Sequence, residues 1–584
     1  TYRKLILPAL LLGCRVRDFE QRAVTVIQKG PLVLSMPAQN RRLTSIRLMT
    51  SDGHVFDVQV SSVNRAPKRW IVTCSGGLRL PSGVRVGAEL DLLGSHALQQ
   101  RVTAALLHGC DSAAADKSWP LLQRIYGTES VLQDFEVAQE NISVRLRRGG
   151  AMRLNREQCE AVARYCNDAC PAFVVEAPPG SGKTLTAAAM AVSYEGKGLQ
   201  LFLSTANVPV ANMALALAEL DYGSLCAIHL ISSERELEMS EETRSPFSVL
   251  SLAMSTNRLR DAIGRIDHEV SYATRNEKRR LHARLRADCE PLFSQRYDVI
   301  FGTVDMALGY LQKPQRRGRR NEGGTIKQQL MTRVQRVVVD EASQLTEAAL
   351  NALVLSFPRA QMVLIGDSKQ LPPFKYERGE IVSELAARSS IEVVKEKRNF
   401  PVVNLKRVYR AAPSLISPYS DVFYNGELIS CKSESVTNPL GCFGESRCIF
   451  FNVRGVAKLS GSSKINHEEN ACLMWIVNAL RRSGYDERCV MVISYYDAQR
   501  RLAEETLPRG YELLTVDSAQ GREKNIVIVL TTRTSVPTET GAFFNCPLRC
   551  NVATSRHKES IIVIGHPSIA SAPHWSEVLS PKYF

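Results

Sequence analysis

No apolar run in these 584 residues approaches the roughly 18–20 that a membrane-spanning helix needs. A helical transmembrane protein is therefore not expected. The longest run near the start, Leu5 to Cys14, is ten residues long, contains Pro8, and is flanked by Lys4, Arg15 and Arg17. It imitates a secretion signal only faintly. With the chain running from Thr1 to Phe584, it is read as the edge of a longer polypeptide entering a core. Cysteine is scattered, 15 residues with no CxxC pair. The four-residue spacings Cys166/Cys170 and Cys546/Cys550 have no histidine cluster to complete a zinc set. Reduced thiols in a cytoplasmic protein, with the nucleus as an alternative, are the expectation. Low-complexity tracts are missing too, and 44% hydrophobic with 23% charged residues is ordinary globular composition for three or four domains.

Acidic residues are the charge in short supply, 59 against 74 Lys and Arg, which leaves a net charge of +15. That excess suits a polyanion, because each phosphate contact releases condensed counterions, and it equally suits a merely basic surface. The excess is concentrated in residues 1–150, with 20 basic and 12 acidic residues, and in 256–330, with 16 and 9. Within the second block, Asn257–Arg286 reads as helix. The stretch Lys313–Arg320 (KPQRRGRR) reads as a nucleic-acid contact, a localisation signal or a solvated loop.

Short β-branched runs predict an α/β fold. Phe173–Val175, Leu201–Leu203, Val299–Phe301, Val337–Val339 and Met362–Ile365 form one set, and Val490–Ile493, Ile526–Leu530 and Ile561–Ile564 a second. None alternates, as expected of strands covered on both faces of a parallel sheet, and helix-like segments separate them. Ser45–Arg47, Val55–Val63, Trp70–Thr73 and Val84–Leu93 read instead as a small β-barrel, with helix-like sequence after Leu98 as a stalk.

The chemistry-bearing residues follow the strands. Ala177-Pro-Pro179-Gly180-Ser181-Gly182-Lys183-Thr184 lies between the Phe173–Val175 run and a helix opening at Leu185, the context of a phosphate-binding loop. Small residues let backbone N–H groups cradle phosphates at a helix N-terminus. Lys183 is placed to reach the β- and γ-phosphates of ATP and Thr184 to ligate Mg²⁺. Asp340, ending the next strand, is assigned the metal and Glu341 the proton of an attacking water. Gln370, in Gly366–Pro373 (GDSKQLPP), is a candidate for orienting that water. Asn155 and Gln158 carry the spacing of a helix capping box, and Gln158 equally suits an amide that reads adenine.

In this order the motifs resemble those of the superfamily 1 helicases (group 1B), in particular the up-frameshift-like branch, from about Leu154 to Gly565. Leu154–Val162 is similar to the family's adenine-reading motif, Ser204–Asn212 and Gly302-Thr303 to strand-contacting motifs, and Asp340–Gln344 (DEASQ) with Gly366–Pro373 to its most specific signatures. Val408–Pro413 resembles the motif in which a tyrosine, here Tyr409, stacks on adenine and an arginine, here Arg410, reaches the γ-phosphate. Val516–Glu523 resembles the ribose-holding motif, with Glu523 in the holding position, and Asn551–Lys558 the last motif, with Arg556 as a second arginine finger. Departures are Ala411-Ala412 where Met-His is common, Ala519 in place of an aromatic residue, and Ala553–Lys558 (ATSRHK) for ALTRAK. The zinc module of one branch member has no counterpart.

The resemblance implies two tandem RecA-like P-loop NTPase domains, 151–395 and 396–584, with a helical insertion at about 230–295 in the first and the β-rich stalked barrel in 1–150. It implies an ATP- and Mg²⁺-dependent, 5′-to-3′ monomeric motor on single-stranded RNA or DNA, RNA favoured, touching the strand through Asn207, Thr303, Tyr495 and Ser518. The alternative is an ATPase clamp or scaffold that remodels ribonucleoprotein without processive unwinding. A small-molecule kinase or GTPase fits less well, because no NKxD signature is present. If the basic blocks line a strand channel, affinity for single-stranded nucleic acid falls steeply as salt rises in an equilibrium titration; a flat dependence removes the channel.

Overall fold

The computed structural model describes residues 141–584 except 233–234, 237–238, 240–243, 256–288, 313–324, 374–386, 397–399, 436, 462 and 537–542. It also describes seven strands and the helices His96–Asp111 and Trp119–Tyr126 before them. The basic helix expected at 257–286, most of the insertion around it and the KPQRRGRR stretch lie outside the described residues.

Strands β1 (Phe19–Ala23), β2 (Thr25–Lys29), β3 (Leu32–Pro37), β4 (Ser45–Thr50), β5 (Val55–Arg65), β6 (Arg69–Ser75) and β7 (Val86–Asp91) form an antiparallel sheet in the order β1-β7-β4-β5-β6-β3-β2. This sheet and the chain from His108 onward are separate compact units. In the second unit the helix Trp119–Tyr126 is followed by a hairpin, β8 (Ser143–Arg145) and β9 (Ala151–Arg153).

Two parallel sheets follow. The first comprises β10 (Ala172–Glu176), β11 (Leu199–Ser204), β12 (Ala227–Leu230), β13 (Val299–Thr303), β14 (Val334–Asp340), β15 (Gln361–Gly366) and β16 (Val402–Asn404), ordered β12-β13-β11-β14-β15-β10-β16. Every residue of β10, β11 and β15 is buried, which is why their sequences do not alternate. Because β16 pairs with β10, this sheet takes its last strand from beyond residue 395, where the first domain was expected to end. A short parallel pair, β17 (Arg407–Val408) and β18 (Ile429–Ser430), then leads to the second sheet. There β19 (Cys448–Asn452), β22 (Val490–Ser494), β23 (Glu512–Thr515), β24 (Lys524–Leu530) and β25 (His557–Gly565) are ordered β19-β25-β24-β22-β23, with a side hairpin of β20 (Lys458–Ser460) and β21 (Ser463–Ile465).

The registers fix which residues share an edge. Glu176 of β10 pairs with Gly366 of β15, and Val339 of β14 with Leu364 of β15. The phosphate-loop candidate, the Asp340-Glu341 pair and the Gly366–Pro373 segment therefore leave three adjacent strands at the same carboxyl end, where open α/β sheets hold ligands. Helices packed on both faces bury a core in which the rings of Phe202 and Phe301 lie 5.4 Å apart. In the second sheet's core, Phe544 and Trp575 stack at 5.9 Å. Truncating Phe202, which is 1% exposed, to alanine is expected to lower unfolding stability by about 3–5 kcal/mol. Chemical denaturation followed by far-UV circular dichroism reads that loss.

Candidate active site

The turn after β10 is built by two glycines in the left-handed region, Gly180 (φ +76°) and Gly182 (φ +80°). A Cβ on Gly180 would stand 2.5 Å from Arg410 Cβ, and one on Gly182 would stand 2.8 Å from Gln158 Nε2. Neither conformation nor space admits a side chain. Gly182 caps the helix Lys183–Ser193, whose first N–H groups point out of the turn. The chain of the β17 segment closes over this loop, with the Tyr409 backbone N–H donating to the Gly180 carbonyl at 2.8 Å.

A cleft of about 690 Å³ lies here, lined from the first sheet by Ala177–Gly180, Gly182, Lys183, Thr184, Asp340, Glu341 and Gln370. From the chain after β16 come Tyr409, Arg410, Glu512, Gly521–Lys524, Arg556 and Lys558. Among the expected binding residues, Pro179, Gly180, Gly182, Lys183, Thr184, Tyr409 and Glu523 line the cleft. Ser181 is buried beneath it with Oγ unpartnered among the described residues, and Leu185 turns its side chain into the core. From these two, only the backbone N–H groups remain for a phosphate.

Lys183 Nζ pairs with Glu341 and stands 3.5 Å from Asp340 Oδ1. Burial works to discharge the ammonium, but the two carboxylates hold its pKa above the ordinary value. Burial likewise raises Asp340 despite Lys183. Glu341 ends up lowered, because Lys183, then a hydrogen bond from Gln520 and the charge of Arg556, outweigh its burial. Glu341 is also strained, at φ +53°, a conformation that costs a non-glycine residue about 1–3 kcal/mol.

Thr184 and Asp340 both line the cleft, and their hydroxyl and carboxylate are the hard oxygen donors Mg²⁺ takes. Asp340 Oδ1 already accepts from the Glu341 N–H at 2.8 Å, leaving Oδ2 for a metal or its water shell. A site with so few protein oxygens fits an ion that keeps water and substrate phosphates in its shell. No group of three or more potential ligands among His, Cys, Asp and Glu occurs among the described residues.

The second sheet contributes the cations. Arg410 pairs with Glu523 and donates from Nη1 to the Ser555 carbonyl at 2.9 Å, while its Nε has no partner among the described residues. Arg556 is 2% exposed and donates to the Val552 carbonyl (3.1 Å) and Ser555 Oγ (2.9 Å) of its own helix end. Burial and the neighbouring Arg410 bring its pKa down to about 10, so it stays charged at neutral pH. Gln520 Nε2 crosses to Glu341 Oε2 at 3.0 Å and stands 3.4 Å from Ser343 Oγ.

Gln158 forms the cap and keeps one amide atom uncommitted. Its N–H and the Asn155 side chain, and its Oε1 and the Asn155 N–H, complete the capping box at 2.9 and 3.1 Å. Its Nε2 is buried without a partner among the described residues, beside Gly182 and Tyr409. The Tyr409 ring is 45% exposed, with its hydroxyl accepting from Asn155 Nδ2 at 2.8 Å. Gln370 donates from Nε2 to Asp367 Oδ2 at 2.7 Å.

Of the expected strand contacts, Asn207 is exposed at the start of its helix and Ser518 is exposed with its hydroxyl 2.9 Å from that of Thr515. Thr303 is half-buried and caps the following turn through Oγ1, which accepts from Met306 N at 3.2 Å. Tyr495 requires correction. Its ring is 2% exposed, packed against Phe544 (5.1 Å) and Trp575 (5.9 Å), because the strand's alternation turns it into the core. Tyr496 beside it is half-buried and accepts at its hydroxyl from Arg533 at 3.4 Å.

Gln520, Asp367 and Asn551 lie inside quoted motifs that assign them no role, and Tyr424, which bonds Asp367 and Asn551, carries no sequence signal of its own. Glu523 supplies a pH test. Burial would raise it, but Arg410 and then Lys558 (2.8 Å) hold it at about 2. A depressed carboxylate stabilises the fold above its unfolded value and loses that contribution as pH falls toward the folded one. The stability gap between the unaltered chain and Glu523→Gln is thus expected to shrink, in urea titrations, from about pH 5 to about pH 3.

Comparison with known sequences agrees with this arrangement. Residues 158–375 match one family profile described as an AAA domain, and residues 386–568 match a second with the same description. An uncharacterized ATP-dependent helicase of Caenorhabditis elegans is 28% identical over 488 residues, covering 74% of this chain and 30% of that protein. The regulator of nonsense transcripts 1 homolog of Arabidopsis thaliana is 27% identical over 470 residues, 74% of this chain and 34% of that one. The ATP-dependent helicase NAM7 of Saccharomyces cerevisiae is 26% identical over 453 residues, 73% and 43% respectively. The chain thus spans about a third of the length of the first two relatives. With its two parallel sheets sharing one cleft, and relatives aligned across most of its length, the chain belongs to the superfamily 1 helicases, in their up-frameshift-like branch.

Proposed function

We propose that this chain is an ATP-driven motor that moves 5′-to-3′ along single-stranded nucleic acid and separates strands. The observation that carries the reading is the shared cleft: Lys183, Thr184, Asp340 and Glu341 come from the first sheet, and Arg410 and Arg556 from the chain after β16. ATP enters with its phosphates on the Gly180–Thr184 backbone, drawing Lys183 toward them. Glu341 then loses its main positive partner, its proton affinity rises, and it becomes competent to take the proton of the attacking water. Gln370 has its Nε2 committed to Asp367, so its amide oxygen is the end that orients that water. Arg410 and Arg556 stabilise the charge that builds on the transferred phosphoryl group. Tyr409 stacks on the base, Gln158 Nε2 donates to the adenine edge, and Glu523 exchanges Arg410 for the ribose. Thr184 and Asp340 would hold Mg²⁺, which when bound would neutralise phosphate charge.

Arg410 can meet the phosphates only when the two sheets are close, so binding and loss of the γ-phosphate bias closure and opening. The strand lies along the carboxyl edges near Asn207, Thr303 and Ser518. The names of several relatives, regulators of nonsense transcripts, favour RNA, while a mouse relative, 29% identical over 39% of this chain, is named a 5′-3′ DNA helicase.

The test is steady-state ATP hydrolysis alone, with single-stranded RNA, and with single-stranded DNA of the same sequence, followed by unwinding of tailed duplexes of both polarities. Stimulation by RNA and unwinding from a 5′ tail are expected. Glu341→Gln should lower kcat by about 100-fold or more with ATP binding retained. Turnover unmoved by Glu341→Gln sinks the catalytic assignment. Hydrolysis without unwinding favours the clamp.

A further inference from the structure

Beside the cleft, a buried polar chain joins the two sheets through residues that the nucleotide chemistry does not use. Asp367, in the turn after β15, is 2% exposed. Its Oδ2 accepts from Gln370 Nε2 at 2.7 Å and from the Tyr424 hydroxyl at 2.6 Å, and its Oδ1 from the Lys369 N–H at 2.9 Å. Tyr424 ends the helix Pro413–Phe423, and its hydroxyl accepts in turn from Asn551 Nδ2 at 2.8 Å. Asn551 also donates from Nδ2 to the Lys369 carbonyl at 2.7 Å. Asn551 belongs to the helix Pro547–Thr554, and its carbonyl accepts from Ser555 Oγ at 2.6 Å. Ser555 is where both arginines end: its carbonyl takes Arg410 and its hydroxyl takes Arg556.

We propose that Tyr424 and Asn551 are positioning residues that couple the Gln370 turn of the first sheet to the Arg410–Arg556 pair of the second. The inference rests on the ATPase reading above. The geometry makes the coupling specific. The Tyr424 hydroxyl has a single hydrogen, given to Asp367, and so can meet Asn551 only as an acceptor. Asn551 spends its amide donors on Tyr424 and on the Lys369 backbone. A shift of Gln370, whose amide shares Oδ2 with Tyr424, moves an acceptor that the second domain is bonded to. Buried bonds of this kind are costly to break singly, so the two sides move together.

The charged surroundings give this chain a pH signature. Burial and the nearby Glu176 push Asp367 up to about 6, against the hydrogen bonds of Tyr424 and Gln370. Glu176 is itself paired with Lys395 at 3.0 Å, and Arg556 is the cation felt from the second domain. The ionised carboxylate accepts from both donors at once, so the coupled state is expected to fail as pH falls through that range. Removing the Tyr424 hydroxyl deletes a stabiliser of the ionised form and moves the failure to higher pH.

The experiment compares the full chain with Tyr424→Phe and Asn551→Ala in hydrolysis stimulated by a single-stranded oligouridylate, over a pH series. Tyr424→Phe is expected to lower stimulated kcat about tenfold, the effect of one buried hydrogen bond, with KM for ATP changed by less than about twofold. Its acid limb should move to higher pH. The double variant should lose no more than the worse single one, since both cut the same chain. An unchanged kcat and acid limb in Tyr424→Phe, or independent losses that multiply in the double variant, overturns the proposal. If Tyr424→Phe lowers the thermal unfolding midpoint, Asn551→Ala is read by the same criteria. Absence of strand-stimulated turnover in the unaltered chain overturns the ATPase reading itself, and the coupling with it.

Discussion

An ammonium and two carboxylates buried at one sheet edge survive only by facing one another, and much of this molecule serves to hold Lys183, Asp340 and Glu341 in that relation. Parallel pairing through β15 brings the ends of β10 and β14 to the same level, the left-handed turn at Gly182 starts the lysine's helix there, and Glu341 accepts a strained backbone to turn its carboxylate back. Removing Lys183 would strand two carboxylates, and removing both carboxylates would strand the ammonium, in a low-dielectric setting. A phosphate chain supplies such compensation from outside. The cleft is therefore closed electrostatically on itself and ready to exchange an internal partner for an external one.

The second sheet faces the same problem with opposite sign. Arg410 and Arg556 lie close enough that Arg410 helps to depress the pKa of Arg556, and they are kept together by backbone carbonyls, by Glu523 and by the nearby Glu341. Glu523 sits between Arg410 and Lys558, and its low pKa records that crowding. Two like charges held apart from bulk water need anions, and a triphosphate is a more concentrated source of them than one glutamate. The departures from the family pattern do not disturb this. Ala411, Ala412 and Ala519 are buried in the second core rather than in the cleft, where their small size is a matter of packing.

A strand followed by a tight turn delivers the next few side chains to one edge regardless of the rest of the fold. Lys183, Thr184, Asp340, Glu341, Gln370, Tyr409 and Arg410 line one cleft for that reason, whereas Glu523 and Arg556 reach it from just before β24 and β25. Tyr495 was misread because period-two alternation continues through the end of β22, and one position separates a core ring from its half-buried neighbour Tyr496. The spacing of Asn155 and Gln158 suits a cap and a ligand contact alike. The folded chain uses one face of the amide for the cap and leaves the other unpartnered among the described residues.

From its own order of residues, this chain determined the two parallel sheets, the turn chemistry at their edges and the identity of the charged groups, since all of these follow from local backbone preference and the burial of unbroken apolar strands. Tertiary structure alone decided who meets whom over long stretches of chain: Gln520 on Glu341, Arg410 on Ser555 and Glu523, and Tyr424 between Asp367 and Asn551. Those partners lie from 57 to 179 positions apart, except where Asn551 and Ser555 share a helix end. No periodicity or spacing rule reaches that far. Their pairing is fixed by how two independently formed sheets pack, and a buried hydroxyl such as that of Tyr424 acquires a partner only when that packing removes it from water.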